Sequence, residues 1–312
     1  MNHFQALNKK LDTVERLAQS DKFTRLCHNP PQYISAQFFR TVVFPLTHKG
    51  VLREAMTFMG YPLHVLLPSG TDIYLTGGKT HDSEIRLARF LIHYFEGKGA
   101  AKKCSFVDIG AHIGYFSLLA SFLVGDKCQV FAFEAAKGTF DLLKKNLDNC
   151  SNIQVFHHAL TDSEKDLVFY EFPVLYSEYN TLHVAQFEKE AWFQKFQPEK
   201  NIVRGITLDA LFEQLHLQNT VIKIDTEGAE AEVIAGAKNI LKHHNPVIIM
   251  EFLADKNKNA GHFEAFKMLK DAGFKPYFIE KQGNLEALER IESYFSRTKT
   301  DSDNFVFMKR AE

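Results

Sequence analysis

The chain has 312 residues, of which 45% are hydrophobic and 24% charged, which is typical of a soluble globular protein with one large domain and an appendage. Lysine and arginine total 37 against 38 acidic residues, so the net charge of −1 provides no broad cationic field for nucleic acid. No apolar run is long enough to span a bilayer, and the N-terminus lacks the pattern of a secretory signal. We therefore expect a cytoplasmic protein without a membrane span.

The four cysteines give no indication of a metal site or of a disulfide framework. Cys27, Cys104, Cys128 and Cys150 follow no metal-ligand spacing. We expect reduced thiols, in agreement with a cytoplasmic location.

Residues 1–98 are predicted to form a helical and hairpin appendage. A first helix is indicated by apolar residues at steps of three and four, namely Phe4, Leu7, Leu11, Val14 and Leu17. Residues 63–67 and 72–75 flank Pro68-Ser69-Gly70, a pattern typical of a hairpin. A second helix is predicted over about residues 82–96. The appendage either supplies a wall of the site, shields the sheet or forms a homodimer contact.

Residues 99–312 show alternating strand and helix patterns. The candidate strands are residues 106–109, 129–133, 153–157, 221–224, 247–251, 276–279 and 304–308. Helical stripes lie between them, and two of these follow Thr139 and Thr207 as candidate N-caps. Alternation of this kind predicts an α/β domain with a mostly parallel sheet and helices on both faces.

The first strand–turn–helix of this domain, residues 105–120, predicts a ligand site. A buried strand leads into a tight turn that holds Asp108, Gly110 and Gly114, and an apolar helix follows. Glycines let a ligand approach the backbone, and the N–H groups of the helix start face it. Asp108 would repel a pyrophosphate but not a cationic ligand. The alternative is a tight connection that binds nothing.

An acid at the end of the second strand supports a nucleoside ligand. Glu134 lies 24 residues after Gly110, where it can accept hydrogen bonds from both ribose hydroxyls. Taken alone, an acid at this position could equally be a solvent-exposed residue at the end of a strand. The preceding glycine turn favours ribose binding. His157 and His158, at the end of the third strand, point to opposite faces and are not expected to bind a metal.

The fourth strand delivers a second group of charged residues, Lys223, Asp225, Glu227 and Glu230. Glu227 and Glu230 lie at a helix start, where the helix dipole favours acids, so they have a structural explanation. Asp225 ends a buried strand, where an unpaired charge is costly, and is the better functional candidate. Glu251 ends the next strand at the same edge of the sheet.

In combination, these segments resemble the FkbM family of S-adenosylmethionine-dependent methyltransferases over residues 80–308. The matching segments are Phe-Val-Asp108-Ile-Gly110-Ala-His-Ile-Gly114-Tyr-Phe-Ser, Phe-Glu134-Ala, Ala159-Leu-Thr-Asp162, Thr207-Leu-Asp209, Ile-Lys223-Ile-Asp225-Thr-Glu227-Gly228-Ala-Glu230 and Met-Glu251-Phe. The resemblance implies a Rossmann-like class I methyltransferase fold, with a seven-stranded sheet whose last strand runs antiparallel.

The resemblance implies a binding site for S-adenosylmethionine. Asp108, Gly110 and Gly114 would surround its methionine portion, and Glu134 would hold its ribose. The full set of predicted cofactor-binding residues is Glu84, Asp108, Gly110, Ala111, His112, Gly114, Glu134, Ala159, Leu160 and Asp225. In this set Ala159 and Leu160 would border the adenine, and His112 stands where the family often has Asn.

Methyl transfer requires alignment of nucleophile, carbon and sulfur, and an alcohol nucleophile benefits from a nearby proton acceptor. We predict Asp225 as the acceptor or orienter, Glu227 as the second candidate and Glu251 as the third. Their oxygens could also gather Mg²⁺, but we predict no metal site.

The leading hypothesis is an O-methyltransferase that acts on a small molecule, a sugar or a lipid-linked glycan. An aromatic insertion between residues 170 and 204 either roofs the crevice and selects the acceptor or packs locally. An RNA methyltransferase is disfavoured by the neutral charge, and an NAD-dependent oxidoreductase by the missing Gly-x-Gly-x-x-Gly. A non-catalytic nucleoside-binding module would need Asp225 immobilised in a structural ion pair or a blocked crevice.

Overall fold

The computed structural model describes residues 3–98, 104–255 and 260–309. The strands are β1 (Val51–Met56), β2 (Pro62–Leu67), β3 (Cys104–Ile109), β4 (Cys128–Phe133), β5 (Ile153–Phe156), β6 (Ala159–Leu160), β7 (Asp166–Glu171), β8 (Glu199–Ile206), β9 (Thr220–Ile224), β10 (Val247–Leu253), β11 (Lys275–Ile279), β12 (Leu285–Ala287) and β13 (Ser302–Met308). Over these described ranges, no helix combines the length and the apolar character that crossing a membrane requires.

Helices precede the sheet and cover it. They are α1 (His3–Gln19), α2 (Lys22–His28), α3 (Pro30–Phe38), α4 (Phe44–Thr47), α5 (Thr71–Thr76), α6 (Asp82–Lys98), α7 (Tyr115–Val124), α8 (Lys137–Leu147), α9 (Leu208–Leu215), α10 (Glu230–Ala235), α11 (Lys238–His243), α12 (Ala260–Asp271) and α13 (Ile291–Thr298). A π-helical turn, Phe39–Val43, joins α3 to α4, and the segment between β7 and β8 contains two 3₁₀ turns, Val174–Tyr179 and Val184–Phe187.

The central sheet has eight strands in the order β12-β11-β13-β10-β9-β3-β4-β5. β10, β9, β3, β4 and β5 run parallel to one another, and β13 is antiparallel to both of its neighbours. This confirms the mostly parallel sheet with an antiparallel last strand. The predicted count of seven strands was one too low, because β12 is a three-residue edge strand without a buried side chain and so carries no apolar pattern.

Successive residues of the sheet point to opposite faces, and each face has its own hydrophobic core. Phe106 of β3 belongs to one hydrophobic cluster with residues of α6, α7 and α8, whereas Val107 belongs to a second cluster with residues of α9 to α13. Leu7 and Leu11 of α1 belong to the same cluster as Phe106, so the appendage and the sheet share one core. The division at residue 98 therefore stays a prediction.

The hairpin of the appendage was predicted in the wrong place. β2 pairs with the preceding β1, from Val51 opposite Leu67 to Met56 opposite Pro62, whereas residues 72–75 lie in the helix α5. The Pro-Ser-Gly segment connects β2 to the helix α5 instead of to a second strand. Within this connection the N–H of Gly70 bonds to the carbonyl of Leu66. The helices predicted over residues 4–17 and 82–96 are confirmed.

One of the two predicted caps is confirmed. Thr207 caps α9, and its hydroxyl accepts a hydrogen bond from the N–H of Ala210 at 3.2 Å. Thr139 is not the cap of α8, which begins two residues earlier. The carboxylate of Glu171 on β7 accepts the N–H of Lys137 instead, at 2.6 Å, so a strand distant in sequence caps this helix.

The prediction of reduced thiols was wrong for two of the four cysteines. Cys104 and Cys128 form a disulfide, because β3 and β4 are neighbouring parallel strands that begin opposite each other at these two residues. Their Cα atoms are 4.8 Å apart, within the range that a disulfide spans. Cys27 and Cys150 are free.

Candidate active site

A cavity of about 700 Å³ opens at the carboxyl edge of the central sheet. It lies where the strand order reverses direction between β3 and β9, the position at which open α/β sheets bind ligands. The predicted site residues that line it are Glu84, Gly110, His112, Glu134, Ala159, Leu160, Asp225, Glu227 and Glu251. The structure therefore brings residues from six separate segments of the sequence to one cavity.

Asp108, Ala111 and Gly114 lie behind the cavity lining. The Asp108 carboxylate is buried, accepts the Ser117 hydroxyl at 2.6 Å and lies 3.7 Å from Lys223 Nζ. The N–H of Ala111 bonds to the Phe133 carbonyl at 2.9 Å, and Gly114 is the N-cap residue that precedes α7. These residues shape the turn, and their direct contact with a cofactor stays a prediction.

Gly110 cannot be replaced by a residue with a side chain without moving the backbone. Its φ is +73°, and a Cβ atom here would lie 1.8 Å from the backbone oxygen of Asp225. The absence of a side chain therefore lets the turn after β3 lie directly against the turn after β9.

Glu134 is buried at the end of β4 and is held by two backbone donors. Its Oε2 accepts the N–H of His112 at 2.8 Å, and its Oε1 accepts the N–H of Ala136 at 2.9 Å. Burial raises the pKa of Glu134 to about 7, although the two N–H bonds oppose this. The second lone pairs of both oxygens remain available to a ligand, because each oxygen accepts only one of these bonds.

His112 has a left-handed backbone conformation, with φ of +50°, and its side chain lines the cavity. Its Nε2 is 3.3 Å from the hydroxyl oxygen of Ser177. Burial lowers the pKa of His112 to about 4, so its imidazole is neutral near pH 7 and offers one donor and one acceptor.

Lys223 links the two acids of the adjoining strands. Its Nζ is 3.0 Å from Asp225 Oδ2 and 3.7 Å from Asp108 Oδ1. Burial opposes the positive charge, but the Asp225 and Asp108 carboxylates outweigh it and raise the pKa of Lys223. Asp225 is thus ion-paired, as the non-catalytic alternative requires, yet 36% of its side chain is exposed and it faces the cavity.

Asp225, Glu227 and Glu251 form a close group of acids, with one carboxylate oxygen of each within 4.8 Å of the others. Burial, followed by the charges of Glu251 and Asp225, raises the pKa of Glu227 well above its usual value. Burial and the charge of Asp225 also raise the pKa of Glu251. The group could offer oxygen ligands to a hard cation, but protonation removes the same repulsion without one.

Glu230 has the structural role that its position suggested. Its carboxylate accepts the N–H groups of Thr226 and Gly228 at 3.0 and 3.1 Å, so it fixes the turn before α10. This turn places Asp225 and Glu227 at the cavity.

The cavity also contains an ion-pair cluster that was not predicted from the sequence. Lys79 Nζ lies 2.8 Å from Glu178 of the insertion and 3.3 Å from Glu84 of α6. Lys79 lowers the pKa of Glu178 to about 2. No sequence pattern could identify this pair, because the two residues are 99 positions apart.

The aromatic insertion both packs on itself and contributes to the cavity lining. The rings of Tyr176 and Trp192 stack at a centroid distance of 4.2 Å, and Tyr179 stacks on the same tryptophan at 5.5 Å. Tyr179 and Phe187 also line the cavity. Its role in selecting the acceptor stays a prediction.

Comparisons with known proteins agree on a methyltransferase. The model of the methyltransferase FkbM domain matches residues 108–276, more than half of the chain. A curated relative, the hexuronic acid methyltransferase AglP of Haloferax volcanii, is 30% identical over 144 residues, which are 46% of this chain and 53% of the relative. The match thus spans about half of that relative.

Solved methyltransferase structures are also similar. A putative O-methyltransferase from Klebsiella pneumoniae aligns with a TM-score of 0.41 and 12% identity, over 75% of this chain and 84% of its own. A SAM dependent methyltransferase from Aquifex aeolicus aligns with a TM-score of 0.38 and 10% identity, over 73% of this chain and 95% of its own.

Proposed function

The chain belongs to the FkbM methyltransferase family, and we propose that it transfers the methyl group of S-adenosylmethionine to a hydroxyl group of a small molecule, sugar or glycan. The observation that carries this proposal is the cavity at the carboxyl edge of the sheet, which Gly110, Glu134 and Asp225 line together. We also propose that residues 99–312 form the methyltransferase domain and that residues 1–98 complete its cavity with Lys79 and Glu84.

The charges around the cavity fit a cationic nucleoside. Its lining includes nine acidic residues against two lysines, Lys79 and Lys223, so ionised acids remain in excess even with Glu227 and Glu251 protonated. Such a surface attracts the sulfonium and ammonium groups of S-adenosylmethionine, and it repels the pyrophosphate of NAD and the backbone of RNA. The volume of about 700 Å³ lies within the usual range for a small-molecule site.

Glu134 and the turn residues would hold the cofactor. The free lone pairs of Glu134 suit the two ribose hydroxyls, and the apolar Ala159 and Leu160 suit the adenine. When bound, S-adenosylmethionine supplies an electrophilic methyl carbon that needs no further activation. The protein then has to orient the acceptor and accept its proton.

Asp225 is the acid best placed to accept that proton. It is ion-paired with Lys223, whereas burial raises the pKa of both Glu227 and Glu251 and favours their protonated forms. Lys223 would act as a positioning residue that fixes the Asp225 carboxylate, and Glu227 remains the second candidate.

The acceptor is proposed to carry a sugar. The relative in Haloferax volcanii is named for a hexuronic acid, and Tyr179 at the cavity offers an aromatic ring against which the apolar face of a sugar can pack. RNA remains an alternative acceptor, which the acidic lining disfavours.

A methyl-transfer screen with labelled S-adenosylmethionine against sugars, glycans, alcohols and RNA tests the proposal. Asp225→Asn should retain cofactor binding and lose most turnover, because the amide cannot accept the proton. Asp166→Asn, an exposed acid on β7, is the control and should keep full turnover. Unchanged turnover in Asp225→Asn would rule out the role of Asp225, and transfer to RNA alone would overturn the proposed acceptor.

A further inference from the structure

One face of the helical segment that runs from α3 to α4 is apolar and exposed. Ile34, Phe38, Val42 and Leu46 are 61%, 51%, 41% and 79% exposed. Steps of four residues drift by about 40° each around a helix with 3.6 residues per turn. The π-helical turn at Phe39–Val43 contains more residues per turn and so offsets part of this drift. The four side chains therefore lie along one face.

The opposite face of this segment is anchored to the protein. Ala36 and Phe44 are buried, and α3 packs against α5. The ring of Phe44 stacks on Phe196 of the aromatic insertion at a centroid distance of 6.4 Å. The exposed face is therefore presented by a helix that is fixed in place, rather than by a loosely attached one.

The same segment is strongly biased in charge. Residues 22–53 contain no aspartate or glutamate, although the whole chain has 38 acids against 37 lysines and arginines. The basic residues of this stretch are Lys22, Arg25, Arg40, Lys49 and Arg53. Within the described residues, none of these five forms an ion pair with an acid. Arg40 and Lys49 are exposed and flank the apolar face.

We propose that this surface, the basic apolar face formed by Ile34, Phe38, Arg40, Val42, Leu46 and Lys49, docks on a bilayer that contains anionic phospholipids. A fixed amphipathic helix with an apolar face can insert that face at the boundary between headgroups and acyl chains. Neighbouring lysines and arginines are attracted to the anionic headgroups. A second copy of this chain fits less well, because a symmetric contact would bring two acid-free, positively charged faces together.

Docking on this face would bring the walls of the cavity close to the bilayer. α5, on which α3 packs, contributes Asp72 to the cavity lining. Phe196, on which Phe44 packs, contacts Tyr176 of the aromatic insertion at a centroid distance of 5.0 Å. The proposal rests on exposure and charge and is independent of methyl transfer.

Co-sedimentation of the full chain with vesicles tests the proposal. Vesicles of phosphatidylcholine alone and of phosphatidylcholine with one quarter phosphatidylglycerol serve as probes. We expect binding to the anionic vesicles that weakens with added salt, and little binding to the neutral ones. Leu46→Ser should weaken binding about tenfold, since it removes an apolar side chain from the lipid contact. Arg40→Glu and Lys49→Glu should each weaken it by at least about fivefold.

Ile202→Ser is the matched control, because Ile202 on β8 is 65% exposed but lies outside this face. It should bind vesicles as the wild type does, and all four variants should keep the wild-type melting temperature. The proposal is overturned by absent binding to anionic vesicles, or by equal loss in Ile202→Ser and Leu46→Ser. A dimer in sedimentation velocity that Leu46→Ser dissociates, without vesicle binding, would assign the face to a second copy instead.

Discussion

Replacement of Gly110 by alanine should disrupt the cavity from its centre. The added Cβ would lie 1.8 Å from the Asp225 backbone oxygen, whereas real Cβ contacts are essentially never shorter than 3.0 Å. No side-chain rotation can relieve this contact, so the turns after β3 and β9 must separate by about 1 Å. A displacement of this size in a site costs about 100-fold in rate. The positive φ of +73° adds about 1 kcal/mol of conformational strain.

Gly273→Ala is the matched control for this prediction. Gly273 also has a positive φ, +88°, but a Cβ atom there would meet nothing within 4 Å. Gly110→Ala should therefore lower the melting temperature by several degrees more than Gly273→Ala, because 1 kcal/mol corresponds to about 2–4 °C in a domain of this size. Only Gly110→Ala should weaken S-adenosylmethionine binding in calorimetry. Equal losses of stability and affinity in both variants would refute the reasoning.

Four further predictions concern the cavity. The raised pKa of Glu134, about 7, means that cofactor affinity should increase about fivefold from pH 6 to pH 7 as the carboxylate ionises, and calorimetry of Glu134→Gln should show no such change. The pKa of Glu134 is higher in the folded protein than its ordinary value of 4.5, so folding favours the protonated form. The stability that Glu134 contributes should therefore decline as the pH rises from about 4.5 to 7, and urea titrations can measure this decline in the free energy of unfolding. Lys79→Met should raise the pKa of Glu178 from about 2, which carboxyl NMR titration would report. It should lower the free energy of unfolding by only about 1 kcal/mol, because the Glu178 side chain is exposed and solvent screens the ion pair. The fluorescence of Trp192, the only tryptophan, should change when the cofactor or acceptor binds, and unchanged emission at saturation would contradict a roof over the cavity.

The sheet was predictable because its strands carry strong local patterns. β3 is an example: Phe106 belongs to one core and Val107 to the other. Because both faces of this strand are buried, its residues form a near-continuous apolar run. The antiparallel direction of the last strand followed from the resemblance, and Glu134 and Asp225 could be placed at one edge because parallel strands end on the same side.

The features that the sequence did not predict depend on contacts between distant residues. Glu171 caps α8 from another strand, and Lys79 meets Glu178 across 99 positions, so neither leaves a local signal. The disulfide between Cys104 and Cys128 needs the register of β3 against β4, which only the folded sheet defines. The misplaced hairpin has a different cause, because Pro68 and Gly70 are compatible with both a strand reversal and a helix start.

Calorimetric titration of the full chain with S-adenosylmethionine and, separately, with NAD tests the role of the cavity most directly. We expect one S-adenosylmethionine bound per chain, no measurable heat with NAD, and a marked loss of affinity in Gly110→Ala. Binding of NAD without S-adenosylmethionine, or S-adenosylmethionine affinity that is unchanged in Gly110→Ala, would contradict the assignment of this cavity to the methyl donor.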